Sequence, residues 1–174
     1  MMKKLLSISL ILFCFLISGC GFHLRSKADF PIELNTIYLS SDKAYSTLAI
    51  DLTALFQSMD TRLVKNQSNA PFSVVIANNY FTYSRPAIID ATQLTTIGFM
   101  KRATISIINN KNHKVIATQS FTTAQSLTLN SNQIYTVNSN DIMQQQLNRE
   151  MVSLIYYWLI SSHTKAALSK YSLR

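Results

Sequence analysis

Few side chains in this 174-residue sequence are placed to do chemistry, and their spacing narrows what that chemistry is. Histidines stand at 23, 113 and 163. No two share the i, i+4 spacing that sets ligands on one helix face, and past residue 20 there is no cysteine, so zinc lacks its usual donor set. The eight carboxylates, Asp29, Glu33, Asp42, Asp51, Asp60, Asp90, Asp141 and Glu150, are mostly isolated and read as caps or loop residues. Serine and threonine are abundant, but none has a marked base beside it. Glycine occurs only at 19, 21 and 98, which excludes a phosphate loop, a dinucleotide fingerprint and a Gly-x-Ser-x-Gly elbow. The expectation is a protein without catalytic residues, metal or cofactor. Cys20 and a handful of basic residues are left to carry function.

Cys20 sits at the end of an export signal. Lys3 and Lys4 precede a mostly apolar run over residues 5–17, too short to span roughly 30 Å of hydrocarbon as a helix but suited to a secretory signal. Ile17-Ser18-Gly19-Cys20 then resembles the bacterial lipobox, with Ile where Leu is usual. In that motif the cysteine receives a diacylglyceryl group, becomes the new N-terminus and is acylated again. An ordinary cleaved signal with an incidental cysteine is the alternative reading. Cys14 leaves with the signal, so Cys20 has no partner for an internal disulfide in an oxidising compartment. Acylation accounts for that lone thiol, and several acyl chains anchor durably where one does not. Gly21 follows Cys20, where an inner-membrane lipoprotein resembles the best-known bacterial pattern by carrying Asp. The resemblance implies sorting to the outer membrane.

Charge sets the class of partner. The chain has 16 basic and 8 acidic side chains, and removing Lys3 and Lys4 leaves fourteen against eight. Such an excess favours phosphates or anionic lipid heads. Export and the absence of a basic stripe argue against nucleic acid. Arg85, Lys101 and Arg102 lie close to Tyr80, Phe81, Tyr83 and Phe99 in the sequence, and this pairing of charge with aromatic surface makes them the candidate contacts for phosphate groups beside acyl chains. Two other readings stand beside it. In one, the aromatics are core, as such groups more often are; in the other, Lys101-Arg102 is one inward and one outward strand residue, the inward one snorkelling to water.

The elements that must position these residues follow from periodicity. With 48% hydrophobic and 14% charged residues, the chain has the apolar content for a packed core. Residues 36–40 are β-rich and predict a first strand. Leu48, Leu52, Leu55, Phe56 and Met59 form one helical stripe over residues 46–59, with Ser46 or Thr47 as cap and Asp51 suited to the dipole. Residues 65–70 read as a loop. Alternation predicts strands at 72–83, 97–108 and 114–122, the last two forming a hairpin around the polar turn 109–113. Residues 126–139 read as a long polar connection. A final helix is expected from Asp141 to about residue 160, its start marked by Asp141 and Gln144. The predicted fold class is α+β, two helices packed on a small mixed four-stranded sheet. The predicted organisation is signal 1–19, lipidated N-terminus and tether 20–35, α+β domain 36–162, and a frayed basic tail 163–174.

Cys20-Gly21-Phe22-His23-Leu24-Arg25 resembles the start of the mature LptE/RlpB family of lipopolysaccharide-assembly lipoproteins, and the element order and length are similar throughout. The resemblance implies a plug inside an LptD-like outer-membrane β-barrel, facing the periplasm and barrel lumen. Together the pair would insert lipopolysaccharide into the outer leaflet, with the lipoprotein binding lipopolysaccharide and helping the barrel assemble. In the family, basic residues implicated in that binding lie in the loop after the second strand and in the one before the final helix. Here the first loop has Arg85 at its edge, and residues 125–140 contain no Lys or Arg. A free-standing lipid-anchored carrier or envelope-structural lipoprotein, resembling the family only in its tether, is the other class. Co-purification with a large β-barrel separates the two.

Overall fold

A computed structural model describes residues 29–43, 45–84, 95–129 and 137–172. Cys20, the signal, most of the tether and Arg85 lie outside the described residues. The elements run β1 (Thr36–Ser41), α1 (Thr47–Ser58), β2 (Arg62–Leu63), β3 (Phe72–Tyr83), β4 (Thr95–Asn109), β5 (Lys114–Leu129), α2 (Val137–Ile160) and α3 (Ser162–Ser172). The sheet is mixed and five-stranded, in the order β2-β1-β3-β4-β5. β1 runs parallel to both β2 and β3, while β3–β4 and β4–β5 are antiparallel. The α+β class holds, with three helices where two were expected and five strands where four were expected.

Each difference has a local cause. β2 is two residues long, too short to show any period. β5 continues to Leu129, past the expected end at 122, because residues 95–102 offer it a partner all the way along. Its Ser, Thr and Gln content reads as loop until that partner is seen. α2 begins at Val137, before the expected Asp141. The tail expected to fray is α3. Ser161 caps it, accepting the Thr164 N–H at 3.2 Å. Thr164 and Leu168, one helical turn apart, are fully buried, and Lys114 lies over the Tyr171 ring at 5.2 Å.

The expected α1 cap forms on Ser46, whose hydroxyl accepts the Ala49 N–H at 3.3 Å. The helix ends in a Schellman turn. Thr61 N–H donates to Phe56 O at 2.9 Å and Asp60 N–H to Gln57 O at 3.1 Å, with Asp60 left-handed at φ 61°. α1 and α2 cover one sheet face. Leu48, Leu52, Leu55 and Phe56 of α1 and Met151, Ile155, Tyr156 and Leu159 of α2 meet Ile37, Val74, Ile76, Ala103, Ile105 and Ile107 of the sheet.

Candidate functional site

β4 alternates without a break. Ile97, Phe99, Lys101, Ala103, Ile105, Ile107 and Asn109 are all buried, and the residues between them face the uncovered side of the sheet. Lys101 thus occupies a position that the pattern assigns to a core side chain. It is 2% exposed, so it does not snorkel. Arg102, its neighbour, is exposed on the other face. Lys101 and Arg102 therefore lie on opposite faces of the sheet, as adjacent strand residues do, and Arg85 lies outside the described residues.

The inward position is polar from strand to strand. Asn79 of β3 and Thr123 of β5 are buried on the same face as Lys101, and Thr123 is its direct pair. Thr123 Oγ1 donates to Leu147 O of α2 at 3.2 Å. Across from them, Asn148 of α2 donates through Nδ2 to Asp51 Oδ2 of α1. Asn148 is 1% exposed, and its Oδ1 has no hydrogen-bond partner among the described residues. Burial pushes the Lys101 ammonium below the ordinary lysine value; the Asp51 carboxylate raises it in part, and Lys43 adds to the lowering. Asp51, read from the sequence as a dipole residue, offsets part of the cost of burying Lys101 through its field. Asn148 gave no signal. Residues 51, 101 and 148 are brought together by the fold alone.

This polar layer divides the apolar interior. One cluster is the main core. The other consists of Ile97, Phe99 and Leu147, with Phe81, Leu127, Leu129 and Met143 partly buried around them. A bulge helps to build the second cluster. The β3–β4 register shifts between Ala77 and Tyr80, where Asn78 is left-handed at φ 52°. Before the bulge Phe72, Val74 and Ile76 face the helices; after it Phe81 and Tyr83 do, stacked on Phe99 at 6.2 and 6.1 Å. Tyr80 is turned to the open face instead, with the Arg102 guanidinium 6.0 Å from its ring centroid. So the aromatic group splits between core and surface. Phe99 is buried, Tyr83 is 40% exposed and Tyr80 37%.

The open face is lined with hydroxyls that pair across β4 and β5: Thr104 with Ser120 at 3.0 Å, Ser106 with Thr118 at 2.9 Å and Thr96 with Thr128 at 3.2 Å. Arg102 Nε donates to Thr122 Oγ1 at 3.3 Å in the same row. On the helix side, a groove between α1 and α2 has lobes of about 550 and 320 Å³, both lined by Asp51 and Arg149. Among the described residues no group of three or more His, Cys, Asp or Glu is gathered to hold a metal. No helix among them is long and apolar enough to cross a membrane.

Three solved bacterial lipoproteins share this fold. One is lipoprotein B of Nitrosomonas europaea, at 14% identity with a TM-score of 0.57, covering 86% of this chain and 96% of that one. Another is rare lipoprotein B of Shewanella oneidensis, at 11% identity and a TM-score of 0.50, covering 78% and 98%. The third is a minor lipoprotein of Acinetobacter baumannii, at 15% identity and a TM-score of 0.50, covering 76% and 92%. No family model and no curated protein sequence matches the chain.

Proposed function

We propose that this chain is an outer-membrane lipoprotein, anchored by acyl chains on Cys20, that works with an LptD-like β-barrel to assemble lipopolysaccharide at the cell surface. It faces the periplasm and the barrel lumen, supports barrel assembly, and acts by binding rather than by catalysis. The observation that carries this reading is a coincidence of two independent features. The hexapeptide from Cys20 to Arg25 resembles the mature start of the LptE/RlpB family, and the body shares its fold with rare lipoprotein B over nearly that whole chain. Phosphate contact begins from Arg102, the member of the basic trio that is exposed among the described residues; Lys101 is enclosed.

The test is a pull-down of the mature lipoprotein from detergent-solubilised outer membrane. A β-barrel protein should come with it in a one-to-one ratio, and intact mass should show acyl chains on Cys20. Cys20→Ala should leave the protein unprocessed or soluble. Depletion should lower the amount of assembled barrel and make the outer membrane leaky. Normal barrel levels and permeability after depletion would favour the free-standing lipoprotein instead.

A further inference from the structure

The two ends of the molecule differ in charge. β1, β2, β3 and β5 begin at one end and β4 finishes there, where the described chain starts at Asp29. α3 lies across the same end, against residues 32–34 and β5. The described residues carry ten basic and seven acidic side chains. Six of the basic ones, Arg62, Lys65, Lys111, Lys114, Lys165 and Lys170, belong to the segments that build this end, with Asp29, Glu33 and Asp60 against them. In the rest of the described body four basic side chains meet four acidic ones. The positive excess of the described body is therefore gathered at one pole.

On the reading that Cys20 is acylated, the lipid anchor arrives at this same pole. Asp29 is nine residues after Cys20, so the tether holds the pole within roughly 32 Å of the acyl chains. Residues 20–28 add Arg25 and Lys27 and no acidic residue. A cleft of about 860 Å³ opens at the pole, with Ile32, Arg62, Lys111 and Tyr171 among its walls. Ile32 is 76% exposed among the described residues. An exposed aliphatic group, a tyrosine with its polar tip and long cations are the set that a phospholipid interface takes. The apolar groups sit at headgroup level and the cations on the phosphates.

We infer that this pole docks on anionic phospholipid, in the leaflet that holds the Cys20 acyl chains. Docking rests on that acylation, since the anchor selects a membrane over a soluble phosphate or a protein. Each cation near such a surface strengthens docking about fivefold, a small effect alone. The tether makes docking an intramolecular step, so weak contacts add up without a pocket for each headgroup. Docking belongs to the lipoprotein before it meets its barrel. It turns the opposite end, where Phe81 and Tyr83 stack on Phe99, away from the membrane and towards a partner.

The test uses the acylated mature chain in phosphatidylcholine vesicles, with and without phosphatidylglycerol. A fluorophore on Ser68→Cys, in the cleft wall, reports the pole, and one on Tyr45→Cys, just before α1, reports the opposite end. Each is read by a quencher carried on lipid headgroups. Quenching at position 68 should be several-fold stronger with phosphatidylglycerol and should be lost in about 1 M salt, where charges act over only about 3 Å. Quenching at position 45 should stay low throughout. Arg62→Gln with Lys111→Gln should lower the ratio of docked to free body about twentyfold, at about fivefold for each cation. Lys43→Gln with Arg149→Gln removes the same charge elsewhere and should leave that ratio near wild type. All four side chains are exposed, so circular dichroism should show an unchanged fold. Equal quenching at position 68 in both vesicle types, or an equal loss from both pairs of substitutions, overturns the inference. Barrel co-purification lost from the Arg62 and Lys111 variant, with no response to phosphatidylglycerol, would assign the pole to the protein partner and overturn it too. Intact mass is read first. A bare Cys20 contradicts the proposed function and removes the anchor on which docking rests, whereas an acylated chain without lipid preference contradicts docking alone.

Discussion

The main core and the smaller cluster beyond Lys101 share one strand and one face of that strand, but they are closed differently. Ile105 and Ile107 lie under α1 and α2 among more than a dozen other buried apolar residues. Among the described residues, Ile97 and Phe99 are covered by the first half of α2 alone, ringed by the half-buried Phe81, Leu127, Leu129 and Met143. Alternation is perfect in both halves of β4, so the pattern of inward residues does not distinguish them. What differs is the number of elements overhead and the polar layer of Asn79, Lys101 and Thr123 between the halves. A buried charge in that layer interrupts the apolar packing that would make the two clusters one. The region beyond it should therefore open at lower free energy than the rest.

Matched substitutions on β4 expose the difference most strongly. Ile105→Ala should cost about 4 kcal/mol in denaturant unfolding, while Ile97→Ala should cost about 2, because its less enclosed surroundings can collapse around the gap. Equal costs would remove the distinction. Asp51→Asn attacks the layer between them. It removes the carboxylate that partly offsets the burial of the Lys101 ammonium and weakens the bond with Asn148, and should cost about 1.5 kcal/mol, measured in the same way. A change within experimental error would mean that Lys101 is stabilised by something else.

The smallest effect is on the pH dependence. Lys101 has its affinity for a proton lowered in the folded protein, chiefly by burial. Between that lowered value and the ordinary lysine value the unfolded chain holds more protons, so stability should rise with pH across this window. Below the window the cost of burying the charge is fully present. Lys101→Met should flatten the rise in urea midpoints measured across alkaline pH. A Met variant that keeps the same slope would assign the titration to another group.

Much of this arrangement was legible in the sequence, and the exceptions have physical reasons. The stripe from Leu48 to Met59 and the alternation from 97 to 108 predicted α1 and β4, because both bury one regular face. Their inward residues could be named in advance, and Lys101 was one of the two candidates for the inward position at 101–102. Its enclosure was not legible, since that depends on Asp51 and Asn148 arriving from two distant helices. The outward turn of Tyr80 depends on a single bulged residue, Asn78, which alternation cannot anticipate. The last third of β5 and all of α3 were read as irregular because their own sequences are polar. β5 is held there by pairing with β4, and α3 by burial of Thr164 and Leu168.

The most direct test of the two-part interior is native-state hydrogen exchange on the backbone amides of β4 and β5. The amides near Ile97, Phe99 and Leu127 should exchange through a low-energy local opening that Ile97→Ala makes easier still. Those near Ile105 and Ile107 should exchange only with global unfolding. A single opening free energy for all of them would contradict the account and make the interior one cooperative core.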